Sequence, residues 1–297
     1  MSLEDLEKFV ESFLFKHQGV YFQRDLATPE SIDAVGHFEI RESDVFLVTY
    51  PKSGTIWTQQ ILSLILNEGH RSGTEAINNM NRAPWIESNV YNIDYDKRPS
   101  PRLFTSHLPH YLMPRGMRNR KGKVIYVSRN PKDVMVSYYH FQKMVANVGK
   151  AEDFETYFKL FISGLVAIGS WFDHIKGWYS NSEDYNILFL KYEDMKMDLR
   201  SAVLKICKFV EIELDEEAVN TVVEKATFKN MKRDPLANYT FVTDDLLDHT
   251  KGDFLRKGIV GDWKNTLTVA QNETFDKLYK EKMKDFPISF VWDLEQH

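Results

Sequence analysis

The chain has 297 residues, of which 43% are hydrophobic and 13% aromatic, and it carries a formal net charge of −5. The acidic balance argues against a general nucleic-acid binder, and no apolar stretch is long enough to span a bilayer. A single cysteine, Cys207, excludes an internal disulfide, fits a reducing compartment and lies in an amphipathic pattern typical of a buried structural thiol. The acidic N-terminus has no signal-peptide core, so we expect a cytosolic protein.

Apolar runs of strand length alternate with helical patterns along the chain. Without a linker or a repeat between them, they predict one domain over residues 1–297, with residues 1–37 as an N-terminal segment packed on it. The alternation predicts an α/β fold with a central parallel sheet flanked by helices. Strands are expected near residues 45–50, 102–106, 123–128 and 186–191, and helices near residues 56–68, 132–146, 154–178, 198–210, 215–225 and 270–284.

Two long stretches, residues 70–100 and 232–256, are expected to be loops. Loops of that length in a compact domain are often lids or binding loops. Their large aromatic side chains are therefore candidates for the wall of an apolar pocket: Trp85, Tyr91, Tyr239 and Phe241.

The first strand, near residues 45–50, leads through a tight turn into a helix. The turn places Lys52, Ser53, Gly54 and Thr55 at the helix N-terminus, where free backbone N–H groups favour an anion. It differs from the GxxxxGK[ST] loop of nucleotide triphosphatases, because the upstream glycine is missing and the lysine precedes the Ser-Gly pair. The turn alone is explained equally well by an ordinary strand-to-helix connection.

The next strand ends in Ser106-His107-Leu108-Pro109. His107 is the best candidate for a general base, because an unperturbed histidine titrates near neutrality. A lone histidine is more often a core or surface residue. His110 follows without further metal ligands, and the chain has no G-x-S-x-G hydrolase motif.

Two further segments carry cations at the positions where α/β sheets bind ligands. Arg129 follows the strand near residues 123–128, at the carboxyl edge of the predicted sheet, and Ser137 lies on the helix after it. Near the C-terminus Arg256, Lys257 and Gly258 form a basic, flexible loop. Three separated cationic spots indicate a nucleotide with two phosphate positions.

Together these segments resemble the cytosolic sulfotransferase family, in register from about Phe38 to the C-terminus. The resemblance implies a phosphate-loop type of fold, 3′-phosphoadenylyl sulfate (PAPS) as donor, its product 3′-phosphoadenosine 5′-phosphate (PAP), and no metal. It also implies a homodimer through a short motif: Lys264, Thr268, Val269 and Glu273.

The resemblance assigns roles to individual residues. His107 and Lys52 become the catalytic pair, and Ser137 a 3′-phosphate ligand that restrains Lys52. The 5′-phosphosulfate loop comprises Lys52, Ser53, Gly54, Thr55, Ile56 and Trp57. The 3′-phosphate site comprises Arg129, Ser137, Arg256, Lys257 and Gly258, and the adenine side comprises Tyr192, Thr227, Phe228 and Met231.

The chain departs from many family members at Thr105, where a lysine two residues before the histidine is common. Loss of that cation is typical of the amine and hydroxysteroid branches, as are residues 102–109 and 170–178. The expected acceptor is therefore a small apolar amine or alcohol, xenobiotics included, with steroids and phenols as further candidates. Two other functions stay open on the residues alone: a phosphate-loop nucleotide kinase and a non-catalytic nucleotide-binding dimer.

Overall fold

The computed structural model describes residues 2–88, 93–146 and 149–294. The N-terminal segment contains α1 (Leu3–Glu11), β1 (Leu14–His17), β2 (Val20–Gln23) and α2 (Pro29–Val35). The first half of the main body contains β3 (Val45–Thr49), α3 (Thr55–Ile65), α4 (Asn79–Arg82), β4 (Leu103–Ser106), β5 (Lys123–Ser128) and α5 (Pro131–Met144). The second half contains α6 (Phe154–Ile162), α7 (Trp171–Ser180), β6 (Ile187–Lys191), α8 (Tyr192–Met197), α9 (Leu199–Val210), α10 (Glu216–Lys225), α11 (Phe228–Arg233) and α12 (Val269–Lys282).

The central sheet has the strand order β4-β3-β5-β6, and its neighbouring strands are all parallel. Successive side chains of β3 enter different apolar clusters: Phe46 and Val48 join one, Val45 and Leu47 the other. Because side chains alternate along a strand, the two clusters cover opposite faces of the sheet. The predicted α/β fold with a helix-flanked parallel sheet is confirmed, and the four strands lie where they were expected.

The prediction of one helix over residues 154–178 is wrong, because the structure has two helices there. α6 ends at Ile162 and α7 starts at Trp171, with Ser170 as its N-cap. Between them Gly164 and Gly169 have φ values of +70° and +74°. A Cβ on Gly164 would lie 3.2 Å from the backbone nitrogen of Ser170, a tight contact in a backbone conformation that favours glycine, so the chain reverses here within a few residues.

The N-terminal segment forms a hairpin of β1 and β2, which pair antiparallel, between α1 and α2. Its buried side chains, including Leu6, Val10, Leu14 and Phe22, belong to the same apolar cluster as one face of the central sheet. β2 ends beside the cavity described below, so this segment supplies part of its wall. No helix within residues 2–88, 93–146 and 149–294 is both long and apolar enough to cross a bilayer.

Candidate active site

A cavity of about 660 Å³ opens where the loops following the parallel strands meet. All but one of the predicted catalytic and donor-site residues line it: Lys52, Gly54, Thr55, Ile56, Trp57, His107, Arg129, Ser137, Tyr192, Thr227, Phe228, Met231, Arg256, Lys257 and Gly258. The exception, Ser53, is fully buried, and its Oγ has no hydrogen-bond partner in the part of the chain that the structure describes. The structure therefore brings together residues as far apart in the chain as Lys52 and Gly258.

The turn between β3 and α3 forms a cradle at the helix N-terminus. Lys52 and Gly54 have φ values of +68° and +95°, and Gly54 is the N-cap of α3. A Cβ on Gly54 would lie 2.7 Å from the ring of Tyr192, so the backbone passes closer to that ring than any side chain allows. The first N–H groups of α3 have no partner within the helix, and the positive end of the helix dipole lies at this turn.

The Lys52 ammonium lies between two aromatic rings. Its Nζ is 4.2 Å from the ring centroid of Phe141 and 4.1 Å from that of Phe254. Burial, together with the guanidinium groups of Arg129 and Arg256, lowers the pKa of Lys52 to about 7. An anion bound nearby would restore its charge, because an opposite charge favours the ionised form.

His107 is held in one tautomer. Its Nδ1 lies 2.7 Å from the carbonyl oxygen of Thr49, which can only accept, so Nδ1 carries the proton and Nε2 is a free acceptor. Burial lowers the pKa of His107 to about 3, although the bond to Thr49 opposes the shift. The imidazole is therefore neutral near pH 7, the state that a proton acceptor needs.

A second histidine fixes the backbone of the first. His174 Nε2 donates to the carbonyl oxygen of His107 at 3.0 Å, and the Tyr126 hydroxyl donates to His174 Nδ1 at 2.8 Å. Burial lowers the pKa of His174 to about 4, so it too is neutral. Sequence analysis missed His174, because nothing in its helical pattern on α7 distinguishes it from a core residue.

Glu87 also contacts His107 and was missed by the sequence analysis. Its Oε1 accepts the backbone N–H of His107 at 2.7 Å, while the ring of Trp85 lies 4.5 Å from the imidazole. Glu87 is only 8% exposed, and burial raises its pKa to about 7. It comes from the stretch 70–100, which has no periodic pattern that would have marked it.

The basic residues predicted for the 3′-phosphate are organised by two carboxylates. Asp262 pairs with Arg256 at 2.7 Å and with Lys257 at 2.6 Å. Burial alone would raise the pKa of Asp262, but hydrogen bonds from Lys257, Asn265 and Arg256 lower it to about 2. Asp133 on α5 accepts the backbone N–H of Gly261 at 2.8 Å, which ties the basic loop to the helix after Arg129.

Arg129 crosses the donor side of the cavity. It donates to the carbonyl oxygens of Lys52 at 3.1 Å and Ile259 at 3.0 Å, and its guanidinium lies 4.2 Å from the ring centroid of Tyr192. It thus connects the turn after β3 with the basic loop, across the wall formed by α8. This geometry holds the predicted phosphate positions at a fixed separation.

The predicted adenine residues form one wall. Trp57 Nε1 donates to the carbonyl oxygen of Ala226 at 2.8 Å, and its ring meets Tyr192 edge-on at 5.2 Å. Thr227 is the N-cap of α11, and the Phe228 ring lies 2.3 Å from where a Cβ on Gly258 would be. The glycine of the basic loop is thus needed for the loop to approach Phe228.

The other end of the cavity is largely apolar. Trp85 and Tyr239 line it as expected, Phe241 packs behind Tyr239 at 5.1 Å, and Tyr91 lies outside the described residues. The N-terminal segment adds side chains that sequence analysis did not assign to the wall. Further apolar lining residues include Phe22, Leu26, Met80, Tyr138, Phe141 and Phe254.

The predicted dimerisation residues lie outside the cavity. Lys264, Thr268, Val269 and Glu273 are exposed, and Val269 at 76% is an unusually exposed apolar side chain. Thr268 caps α12 by accepting the N–H of Gln271 at 3.2 Å. Lys264 forms an ion pair with Asp293.

Comparison with known proteins matches residues 42–287 to the model of the sulfotransferase domain. The chain belongs to the sulfotransferase family. It is 51% identical over 284 residues to the amine sulfotransferase of Oryctolagus cuniculus, covering 95% of this chain and 94% of that protein. It is 43% identical over 257 residues to sulfotransferase 2A1 of Homo sapiens, covering 86% and 90%. The crystal structure of mouse sulfotransferase SULT7A1 complexed with PAP is similar, with 31% identity, a TM-score of 0.77 and coverage of 92% and 95%.

The resemblance expected from the motifs is confirmed, and with it sulfuryl transfer as the activity of this enzyme. The two alternatives, a phosphate-loop kinase and a non-catalytic nucleotide-binding dimer, are not favoured. Within the described part of the chain, no group of three or more His, Cys, Asp or Glu side chains is placed to hold a metal ion.

Proposed function

We propose that this sulfotransferase transfers the sulfuryl group of PAPS preferentially to small apolar amines. The observation that carries the proposal is the convergence of Lys52 and a neutral His107 on one cavity with an apolar end. Support for the amine comes from the relative named amine sulfotransferase and from the charge around the histidine, argued below.

The donor end of the cavity fits PAPS by its unsatisfied groups. Ser53 Oγ and the Nε atoms of Arg129 and Arg256 are buried without a hydrogen-bond partner among the described residues, although polar atoms in protein interiors are normally hydrogen-bonded. In this assignment the α3 N-terminus with Ser53 and Thr55 holds the 5′-phosphosulfate. Arg129, Ser137 and the loop 256–258 hold the 3′-phosphate, and the aromatic wall holds the adenine.

The donor supplies an activated sulfuryl group on a phosphate that leaves with a negative charge. Lys52 stabilises that charge where it develops, and removal of one such donor typically slows an enzyme about 10²–10³-fold. His107 Nε2 takes the proton from the acceptor nucleophile, because Nδ1 is committed to Thr49. Ser137 contacts the 3′-phosphate and restrains Lys52 until the acceptor arrives.

The charge beside His107 favours an amine. Thr105 is fully buried, donates to the carbonyl oxygen of Ala83 at 2.9 Å and accepts from Gln59 at 2.8 Å, so an uncharged network stands where many family members carry a lysine. An amine nitrogen gains positive charge as it attacks, and a cation there would oppose it. A phenolate-like nucleophile would instead benefit from the cation.

A steroid alcohol is the second candidate acceptor. Sulfotransferase 2A1 and the 3-beta-hydroxysteroid sulfotransferase of Cavia porcellus, the latter 42% identical over 279 residues, support it. The apolar end of the cavity suits either acceptor, since apolar pockets with few polar anchors accept many ligands of similar size.

We also propose a cytosolic homodimer that forms through Lys264, Thr268, Val269 and Glu273 and acts on xenobiotics. Its support is the exposed apolar Val269 beside polar neighbours.

The acceptor is tested by kcat/KM values with radiolabelled PAPS and three acceptors: 2-aminotetralin, 2-naphthol and a 3-hydroxysteroid. We expect the amine to have the highest value. If the amine comes last, the amine assignment is wrong and the hydroxysteroid assignment replaces it. If none of the three is sulfonated while PAP binds, the assigned acceptor class is wrong altogether.

A further inference from the structure

The Glu87 carboxyl is half satisfied. Oε1 accepts the His107 N–H at 2.7 Å, and a hydrogen bond from the Ser106 side chain also acts on the carboxyl, whereas Oε2 is buried with no hydrogen-bond partner among the described residues. The residue lines the cavity beside Trp85 and His107. A buried carboxylate oxygen without a donor is unfavourable, and no Lys or Arg within residues 2–88, 93–146 and 149–294 forms an ion pair with it, so a complementary group from a ligand is the simplest way to satisfy it.

The positively and negatively charged side chains of the cavity come from different segments of the chain. Its cations come from the donor side: Lys52, Arg129, Lys196, Arg256 and Lys257. Its carboxylates come from the N-terminal segment and the two long loops: Asp25, Glu87 and Asp245. Of these three only Glu87 is buried. The anionic donor and a cationic acceptor would thus each meet the opposite charge.

We propose that Glu87 is the anchor for a protonated amine acceptor, whose ammonium donates to Oε2 while Oε1 keeps its bond to His107. The inference rests on the proposed function and names the chemical class of its acceptor, a cationic aliphatic amine. The bond to the His107 backbone N–H fixes the carboxyl on the cavity wall that also carries the His107 imidazole, so an ammonium held by Oε2 would share that wall with Nε2. Charge-assisted hydrogen bonds of this kind are stronger than neutral ones.

The anchor also resolves the protonation state of the nucleophile. The ammonium gives one proton to Glu87, whose pKa burial raises to about 7, and becomes a neutral amine with a lone pair. The amine forms the N–S bond as the S–O bond to the 5′-phosphate breaks, and the electron pair of that bond stays on the phosphate oxygen. The nitrogen then gives a second proton to His107 Nε2, and the product is the sulfamate.

Glu87→Gln separates the anchor from a structural role. Glutamine retains a carbonyl oxygen that can accept the His107 N–H, but it has no negative charge for an ammonium. Glu193→Gln is the matched control. Glu193 is fully buried, burial raises its pKa to about 7, and its Oε2 has no hydrogen-bond partner within the described ranges, yet it is not part of the cavity wall.

The test measures binding without turnover, by calorimetry on the enzyme saturated with PAP. The ligands are 2-aminotetralin, an aliphatic ammonium at neutral pH, and 2-tetralol, which has the same shape and a neutral hydroxyl. We expect Glu87→Gln to weaken 2-aminotetralin about 10- to 100-fold and 2-tetralol less than about threefold. Glu193→Gln should change the ratio of the two dissociation constants less than about threefold.

An equal effect of Glu87→Gln on both ligands, or no effect on the amine, overturns the anchor. Turnover of the same pair by the wild-type enzyme separates the two proposals. If the wild-type enzyme sulfonates 2-aminotetralin and Glu87→Gln binds this amine with an unchanged dissociation constant, the proposed function stands and the anchor is wrong. If Glu87→Gln selectively loses amine binding but the wild-type enzyme sulfonates only 2-tetralol, the anchor is supported. The amine is then not the acceptor that forms product, and the proposed function is contradicted.

Discussion

At the scale of single residues, the site depends on groups whose pKa values are shifted by burial so that the uncharged form is favoured. Burial lowers the pKa of Lys52 to about 7 and that of His107 to about 3, and raises that of Glu87 to about 7. Groups with such displaced pKa values, collected in one cavity, are typical of active sites. Each is then set for a change of charge when an anion, a nucleophile or a cation arrives.

Lys52→Ala tests the cation at the leaving phosphate. We expect the variant to fold and to lose about 10²–10³ in turnover, the usual effect of removing one charge-stabilising donor. Steady-state rates with radiolabelled PAPS measure the loss, and the circular dichroism spectrum controls for folding. Turnover within threefold of the wild type would show that Lys52 does not have this role.

The pKa of Lys52 also predicts a pH dependence of PAP binding. Above pH 7 Lys52 of the free enzyme has lost its proton. A bound phosphate raises the pKa of Lys52, so Lys52 takes a proton up again when PAP binds. Affinity should therefore fall as the pH rises from about 7, by up to about tenfold per unit. Calorimetry at three pH values measures it, and Lys52→Met should abolish the dependence. The same slope in both proteins would contradict the assignment.

At the scale of elements, sequence patterns located the residues assigned to the donor and part of the acceptor side, including His107 and Trp85, but not all of the cavity wall. Lys52 and Arg129 each follow a local order of strand, turn and helix, which residue patterns show directly. Glu87 and the wall residue Phe22 lie in segments whose role depends on tertiary packing. The break at Gly164 was missed because the helical pattern continues on both sides of it.

Gly258→Ala tests the close approach of the basic loop to α11. Gly258 has a φ of +65°, and a Cβ there would lie 2.3 Å from the Phe228 ring. We expect PAP affinity to fall about tenfold or more, because the loop must move away from the adenine wall. Gly73→Ala is the control, since its φ is +74° but no atom lies within 4 Å of the added Cβ. Equal PAP affinities in both variants would exclude this role for Gly258.

At the scale of the whole molecule, each chain contains a complete cavity, so the proposed dimer is not needed to build the site. The four residues assigned to the interface form a short surface segment around the start of α12. An interface this short should be small, and one residue can then decide whether it forms.

Val269→Glu should convert the dimer to monomers, because it places a charge in an apolar contact. Light scattering measures the molar mass, and activity should survive. Leu204→Glu is the matched control, since Leu204 is another exposed apolar side chain, at 46%, on α9. A dimer that persists in Val269→Glu would place the interface elsewhere.

The most direct test of the account is transfer by His107→Ala, measured as sulfonated product formed from radiolabelled PAPS and 2-aminotetralin, with PAP affinity measured in the same preparation. The account predicts that transfer is lost while the dissociation constant for PAP stays within about threefold of the wild type, since the donor contacts lie on other residues. Transfer at the wild-type rate, or loss of PAP binding together with transfer, would contradict it.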